Sequence, residues 1–349
     1  MNADPSLGVF LHAVGGLAAA SFYIPLKKIK GWGWESGWLI SGFASWLIVP
    51  LLVAMITVPN LVEVLTSIKL TDFLGTYIFG VLWGIGMLTF GLTMRYLGIA
   101  LGMAIALGLC AVFGTLIPPI VEGTFIGLFS HSQGQLILTG VLLCVVGIVI
   151  CGMAGIRKEK DLSESNQNGT LDEFDLKKGL LVAGVAGVLS ACFAFGLAYG
   201  SDIAKLSIEM GTESLWQNSL VLVIILWGGF TTNAIWCLYL NITNKTLGDY
   251  TSKNPKQLSN YIFALLAGTI WYCQFSFYGN GSSFLGEEYH FASWTLHMAF
   301  IILFSNFWGI YLKEWQGVSK KVYWLLGSGL FFVVLSTVVI GLGNVVGMH

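Results

Sequence analysis

Two histidines lie in stretches otherwise fit for lipid: His12 in an apolar run near the start of the chain, and His297 in another near its end. A polar side chain inside a membrane span is costly and by default marks function. A neutral imidazole can hydrogen-bond a hydroxyl, and it can take a proton near physiological pH. Each histidine falls about six residues from the outer end of its run, roughly 9 Å deep at 1.5 Å per residue. Both are therefore candidates for substrate binding and for proton coupling; the competing role is a plain interhelical hydrogen bond. Gln274 is set among aromatics (Trp271, Tyr272, Phe275, Phe277 and Tyr278). Trp83 and Trp271 fall near mid-membrane by residue count, away from the interfaces where tryptophan usually anchors. Such rings suit the apolar face of a sugar while the amide takes a hydroxyl, although ordinary core packing explains them equally well. Asn233 offers a further amide, for substrate or as glue between helices.

Three charged residues complete the candidates. Glu35 follows Lys27, Lys28, Lys30, Trp32 and Trp34, and is read as a gate or proton-release acid or as a salt-bridge partner of those lysines. Arg95 is a gate or a topology anchor. Glu122, after Pro118 and Pro119, is a gate acid or a solvated helix end. Walker loop, paired metal ligands and nucleophile elbow are all missing from the sequence, so neither ATP-driven transport, nor a cofactor, nor an enzymatic activity is predicted.

The elements that must carry these residues follow from composition. Of 349 residues 56% are hydrophobic and 10% charged, with a mean hydropathy of +0.78. A soluble domain carries about 25% charged residues, so lipid must cover much of this surface. A net charge of −1 leaves no basic field for nucleic acid. The six cysteines match no metal or disulfide spacing and read as small packing residues. The first apolar run has no basic leader and no cleavage signal, so it is expected to be retained. A span needs about 20 apolar residues, and ten segments qualify: 7–26, 38–58, 73–94, 97–117, 135–155, 179–200, 215–240, 261–279, 291–312 and 322–346. In the fourth, Gly98, Gly102, Ala106, Cys110 and Gly114 form a small-residue seam for close helix packing. The odd-numbered loops hold 15 of the 17 basic residues. By the positive-inside rule these loops are cytoplasmic and both termini face outward.

Residues 157–178 mix both charges with Ser, Asn and Gly and are expected to form a mobile cytoplasmic linker. They divide the chain into 1–156 and 179–349. Two echoes relate these halves. Gly80, Trp83, Gly91, Leu97 and Gly98 recur 188 residues later as Gly268, Trp271, Gly279, Leu285 and Gly286. Gly8, Gly16, Ala20 and Phe22 recur 171 residues later as Gly179, Gly187, Ala191 and Phe193. They imply an all-α membrane protein of ten helices in a five-plus-five repeat. Five is odd, so the second copy enters the membrane inverted, the architecture of alternating-access transporters.

Several strings then look familiar. HAVGGLAAASFYIPLKKIKGWGWES at 12–36, GLTMRYLGIALGMAIALG at 91–108, FDLKKGL at 174–180, SWTLHMAF at 293–300 and LKEW at 312–315 resemble the bacterial L-rhamnose–proton symporter family, of the drug/metabolite transporter superfamily. The resemblance runs nearly end to end. It implies proton-coupled uptake of L-rhamnose, or a close 6-deoxyhexose, across the bacterial inner membrane. It carries over to His12, Lys27, Lys28, Trp32, Trp34, Glu35, Arg95, Gln274 and His297. The chain departs from the family pattern around 163–170, at Glu122 and over 278–283. The alternatives are an exporter or exchanger of another small solute, and a membrane sensor that binds without transporting.

Overall fold

The computed structural model describes residues 4–97, 99–121, 123–165, 175–252, 255–285, 290–311, 315 and 317–346. Helices α1 to α14 follow one another, and no strand occurs among the described residues. They are Pro5–Ser21, Tyr23–Leu26, Trp34–Gly42, Val49–Thr57, Leu61–Ser67, Leu70–Leu97, Ile99–Val121, Ser132–Ser165, Leu176–Tyr199, Ser201–Glu209, Ser219–Thr243, Gln257–Phe284, His290–Tyr311 and Lys320–Val346. Among the described residues nine stretches are long and apolar enough to cross a membrane. Each answers to one of the segments read from the sequence; the fourth segment, 97–117, corresponds to the 23-residue helix α7. Ile56 is 84% exposed and Trp324 80%. Side chains this apolar cover the outside because their solvent is lipid.

The chain divides into two compact units. The first holds Leu17–Ile85 and Cys192–Asn280, and the second holds Asn2–Gly16, Gly86–Ala191 and Gly281–His349. The first unit is built around α11, in which every residue from Leu220 to Leu226 is buried. A helix apolar all round must be enclosed all round, and glycine makes the close approaches possible. A Cβ on Gly228 would meet the backbone of Tyr77 and Val81 in α6, and one on Gly80 would meet the Ile225 carbonyl. In the same way, Gly268 of α12 lies against the carbonyl of Ser41 in α3.

The second predicted segment is not a continuous α-helix. Between α3 and α4, residues Phe43–Ile48 form a π-helical turn, closed by the Val49 N–H donating to Ala44 O. The cause is Pro50, which follows in the first turn of α4. Proline has no N–H for the carbonyl four residues back, and its ring crowds that carbonyl. Widening the preceding turn relieves both problems.

In the second unit α8 and α14 pack backbone to backbone. A Cβ on Gly329 would stand 2.6 Å from Cys151 Sγ, and one on Gly147 2.8 Å from the Val333 nitrogen. The seam read in the fourth segment is placed in part. Ala106 and Cys110 are buried, and Gly114 lies 2.5 Å, from its would-be Cβ, from Trp294 Nε1. That same Nε1 donates to Cys110 O at 3.1 Å. Gly98 and the surroundings of Gly102 lie outside the described residues.

The predicted linker needs correction at its start. Helix α8 continues through Gly155 to Ser165, because KEKDLSES contains good helix formers and Arg157 Nε pairs with Asp161 at 3.1 Å, one turn on. Asp161 also accepts the Ser319 N–H at 2.9 Å, which ties the end of α8 to the start of α14. Residues 166–174 lie outside the described residues. Hydrogen bonds from Ser319, with Arg157 adding to them, hold the Asp161 carboxyl below its ordinary value. Stability from a depressed carboxylate is present above the unfolded-state value and is lost as pH falls through the folded-state value. Asp161→Asn should therefore lower the melting temperature slightly at pH 7, since this pair is exposed. It should change nothing once the pH is well below the folded-state value, which itself lies under the ordinary carboxylate value of about 4. Melting curves in detergent at the two pH values check this.

Candidate functional site

Helix α1 is fixed at its start by Asp4, whose carboxylate accepts the Leu7 N–H at 3.1 Å, with Pro5 in the first helical position, where proline's missing N–H is not needed. Gly8 and Gly16 then let α1 run close to its neighbours. A Cβ on Gly8 would lie 3.0 Å from Gly281 O, and one on Gly16 2.5 Å from Phe300 Cβ. His12 lies between these two glycines and is fully buried. Its Nε2 is 2.8 Å from Ser293 Oγ of α13. One turn further along α13, the His297 ring sits edge-on to that of His12, with centroids 5.8 Å apart. His297 is 2% exposed. The two histidines that stood out in the sequence thus form one buried imidazole pair in the second unit, with a hydroxyl against the His12 ring. The interhelical bond weighed against a transport role is present, from His12 to Ser293.

The remaining predicted substrate residues belong to the first unit. Trp271 stacks on Phe22 with centroids 4.4 Å apart and planes at 22°. It also meets Trp38 at 4.9 Å and Trp46 at 5.4 Å. Trp83 meets Trp46 at 5.9 Å, Phe193 at 5.3 Å and Phe275 at 5.4 Å. Tyr278 joins through Phe193 at 5.9 Å. Trp83, Trp271 and Tyr278 are therefore brought into one aromatic cluster. Sequence reading did not place Trp38, Trp46 or Phe193 at the site, although Phe193 appears there as the echo of Phe22. The first two were legible only as part of a Trp-rich second segment, with nothing to set their facing. Tyr272 is buried beside the cluster residues in sequence, yet it makes none of these ring contacts among the described residues.

The two buried amides differ. Asn233 is committed to the protein: its Nδ2 donates to Gly229 O at 2.9 Å and reaches Gly84 O at 3.4 Å, while its Oδ1 accepts from Trp38 Nε1 at 3.4 Å. It acts as glue between α11, α6 and α3. Gln274, 6% exposed and one turn from Trp271 and Tyr278, has no hydrogen-bond partner among the described residues. Such a group in an aromatic surround is the donor set expected where a ligand's polar edge will dock.

Glu35 does not pair with Lys27, Lys28 or Lys30; no such ion pair occurs among the described residues. The carboxylate is buried in the first turn of α3 and accepts from Thr246 Oγ1 at 2.7 Å and Asn244 Nδ2 at 3.1 Å. Lys27 and Lys28 lie instead over the rings of Tyr23 and Phe263. The turn after α11 is thereby held to the start of α3. Asp249, which sequence reading missed, strengthens the same tie by accepting the Gly33 N–H and the Ser36 hydroxyl, each at 2.7 Å. The side chain of Arg95, within α6, and the whole of Glu122 lie outside the described residues.

Comparison with known proteins agrees with the resemblance. Residues 1–346 match the family described as L-rhamnose-proton symport protein (RhaT). The chain is 36% identical over 346 residues to the L-rhamnose-proton symporter of Yersinia pestis (strain Pestoides F), covering 98% of this chain and 99% of that one. It is 36% identical over 343 residues to the L-rhamnose-proton symporter of Pectobacterium atrosepticum, covering 97% and 98%.

The contrast between the amides predicts opposite responses to losing them. Asn233→Leu strands the Trp38 N–H and removes the bonds that tie α11 to α6 and α3, and should destabilise by about 1–3 kcal/mol. Gln274→Met removes an amide that has no partner to strand, and should leave the ligand-free melting temperature unchanged or raise it. Thermal unfolding of both variants in detergent checks the pair.

Proposed function

The chain belongs to the L-rhamnose–proton symport family, and we propose that it imports L-rhamnose, or a close 6-deoxyhexose, with a proton, by alternating access. The observation that carries the reading is Gln274, buried and without a hydrogen-bond partner among the described residues, one helical turn from Trp271, which stacks on Phe22 in the cluster that also holds Trp83. A deoxyhexose has a methyl-bearing apolar face for the rings and hydroxyls for the amide. Among the described residues no lysine or arginine lies over a ring of this cluster, which favours a neutral solute over an anionic one. His12 and His297 carry the proton in this proposal. Lipid cannot solvate a charge, so the pair can lower that penalty by holding a single proton against the Ser293 hydroxyl. Glu35 acts at the gate, as the tie between α3 and the turn after α11. Arg95 and Glu122 are retained as candidate gate residues from the sequence alone.

Ten spans in a five-plus-five inverted repeat are part of the same proposal, and three observations support it. First, the boundaries between the two compact units fall within α1, α6, α9 and α12, the first and third helices of each half. Second, the echoed residues make matching contacts. Phe22 stacks on Trp271 while Phe193, its echo, packs on Trp83. Third, Gly80 of α6 meets α11, whereas its echo Gly268 of α12 meets α3. Third-on-second contact between opposite halves therefore occurs twice. The halves are proposed as 1–156 and 179–349. The setting is the bacterial inner membrane, with both termini periplasmic and the basic odd-numbered loops cytoplasmic.

Proteoliposomes loaded at neutral pH and given an inward proton gradient should accumulate labelled L-rhamnose, and a protonophore should abolish the accumulation. His12→Gln and His297→Gln should each reduce gradient-driven accumulation at least tenfold. Exchange of L-rhamnose between equilibrated compartments should be affected less. Accumulation equal to wild type in both variants would remove the histidines from coupling and leave the sugar assignment standing.

A further inference from the structure

The π-helical turn in the second span carries three polar groups that the proposed mechanism does not use. Ser41 Oγ, Ser45 Oγ and Trp46 Nε1 are all buried, in residues at most 1% exposed, and have no hydrogen-bond partner among the described residues. Serine in a membrane helix ordinarily bonds the carbonyl one turn back. Thr57, in α4 of the same span, does so, to Val53 O at 2.8 Å; the two serines do not. Ser41 and Ser45 are four residues apart and share one face of the helix with Trp38, three residues before Ser41; Trp46, one residue after Ser45, is turned roughly 100° from it. Trp38 and Trp46 both contact Trp271. The three groups therefore flank the part of the helix that packs on the aromatic cluster. Each stranded group destabilises a lipid-embedded core, and three in six residues ask for a partner.

The rest of the molecule provides a comparison. The contacts of Gly268 with Ser41 and of Gly80 with Ile225 align α3 with α11 at an offset of 225 − 41 = 184 residues. At that offset Ser41, Ser45, Trp46 and Pro50 correspond to Ile225, Gly229, Phe230 and Ala234. Helix α11 runs unbroken from Ser219 to Thr243. The second copy fills the same place with apolar groups and a regular helix. The fold thus has no need of the proline, the π turn or the three polar groups.

We infer that the π-helical turn Phe43–Ile48, with Ser41 one turn before it, is a hydroxyl-binding subsite. In it Trp46 Nε1 donates to one oxygen of the transported sugar, and the Ser41 and Ser45 hydroxyls hold its neighbours. The inference rests on the sugar-transport reading and adds specificity-determining residues to it. A bound cation is the less fitting occupant, because an indole N–H is a donor only and cannot coordinate one.

Melting of the purified full chain, titrated with L-rhamnose and separately with Na⁺, tests this on Ser41→Ala, Ser45→Ala and Trp46→Phe. Ligand-free melting temperatures should be unchanged or raised, since no partner is stranded. Apparent affinity for L-rhamnose should weaken roughly five- to tenfold for each variant. Trp46→Phe should bind one monodeoxy analogue as well as wild type does, the one lacking the hydroxyl that Nε1 serves. Wild-type rhamnose affinity in all three variants, or a fall in ligand-free melting temperature, would overturn the subsite while leaving rhamnose transport intact. So would Na⁺ stabilisation that Ser41→Ala and Ser45→Ala abolish and Trp46→Phe keeps. If the wild-type protein itself ignores L-rhamnose, the substrate assignment has failed. The ligand-free arm then decides the subsite: unchanged or higher melting temperatures keep it for another neutral polyol, and lower ones discard it.

Discussion

Lipid offers no hydrogen bonds, so every backbone and side-chain polar group within a span must find its partner inside the protein or go without. The helices of this chain follow from that condition, as do the places where glycine lets backbones approach and the places where a polar side chain is tolerated. Gly80, Gly84, Gly228 and Gly229 bring α6 and α11 together until a Cβ on any of them would strike the facing helix. With no hydrophobic drive between helices already in lipid, dispersion across such close contacts is what holds them. Asn233 then bonds into the same contact at no penalty from stranded groups.

The same condition sorts the buried polar residues by role. Asn233, Asn241 and Asn260 have committed partners in the protein and serve as structure. Glu35 and Asp249 are satisfied by neutral donors that link α3 to the turn after α11. A tie made of directional hydrogen bonds can be released without unpacking the helices, so it can act as a latch as well as a strut. Gln274 and the group around Trp46 are among the residues left over, as are the Thr76, Thr212 and Tyr272 hydroxyls; the first two lie on helices that carry rings of the aromatic cluster. A transporter has reason to keep such donors unpaired, because a sugar must be bound well enough to be recognised and released again on the other side.

Much of this was legible in the sequence, for identifiable reasons. Long apolar runs locate spans because length and hydropathy suffice. His12 and His297 stood out because a polar residue in such a run is rare, and their similar depth was legible too, but that their rings meet depends on how α1 packs on α13. The echoed positions of Trp83 and Trp271 were legible, whereas their joining through Trp46 was not, because no sequence signal sets the facing of that ring. Other features depended on facts that no single segment contains. The partners of Glu35 lie some 209 residues away, so the lysines next to it in sequence were the natural but mistaken choice. Asn233 looked as available as Gln274, since only the backbone facing it decides whether an amide is spent. The helical start of 157–178 was hidden by its polarity, which marks an exposed helix as readily as a linker.

The π-helical turn shows how a local signal gains meaning from the proposed repeat. Pro50 alone predicts a disturbed helix and nothing more. Set against α11, which needs neither proline nor polar side chains to fill the corresponding position, the disturbance becomes a departure from symmetry. Inverted repeats give a carrier two equivalent packings, but a sugar has no such symmetry, and a site that recognises it must break the equivalence somewhere. Breaking it beside the aromatic rings, within one turn of one span, lets the remaining helices keep the matched contacts on which exchange between the packings depends.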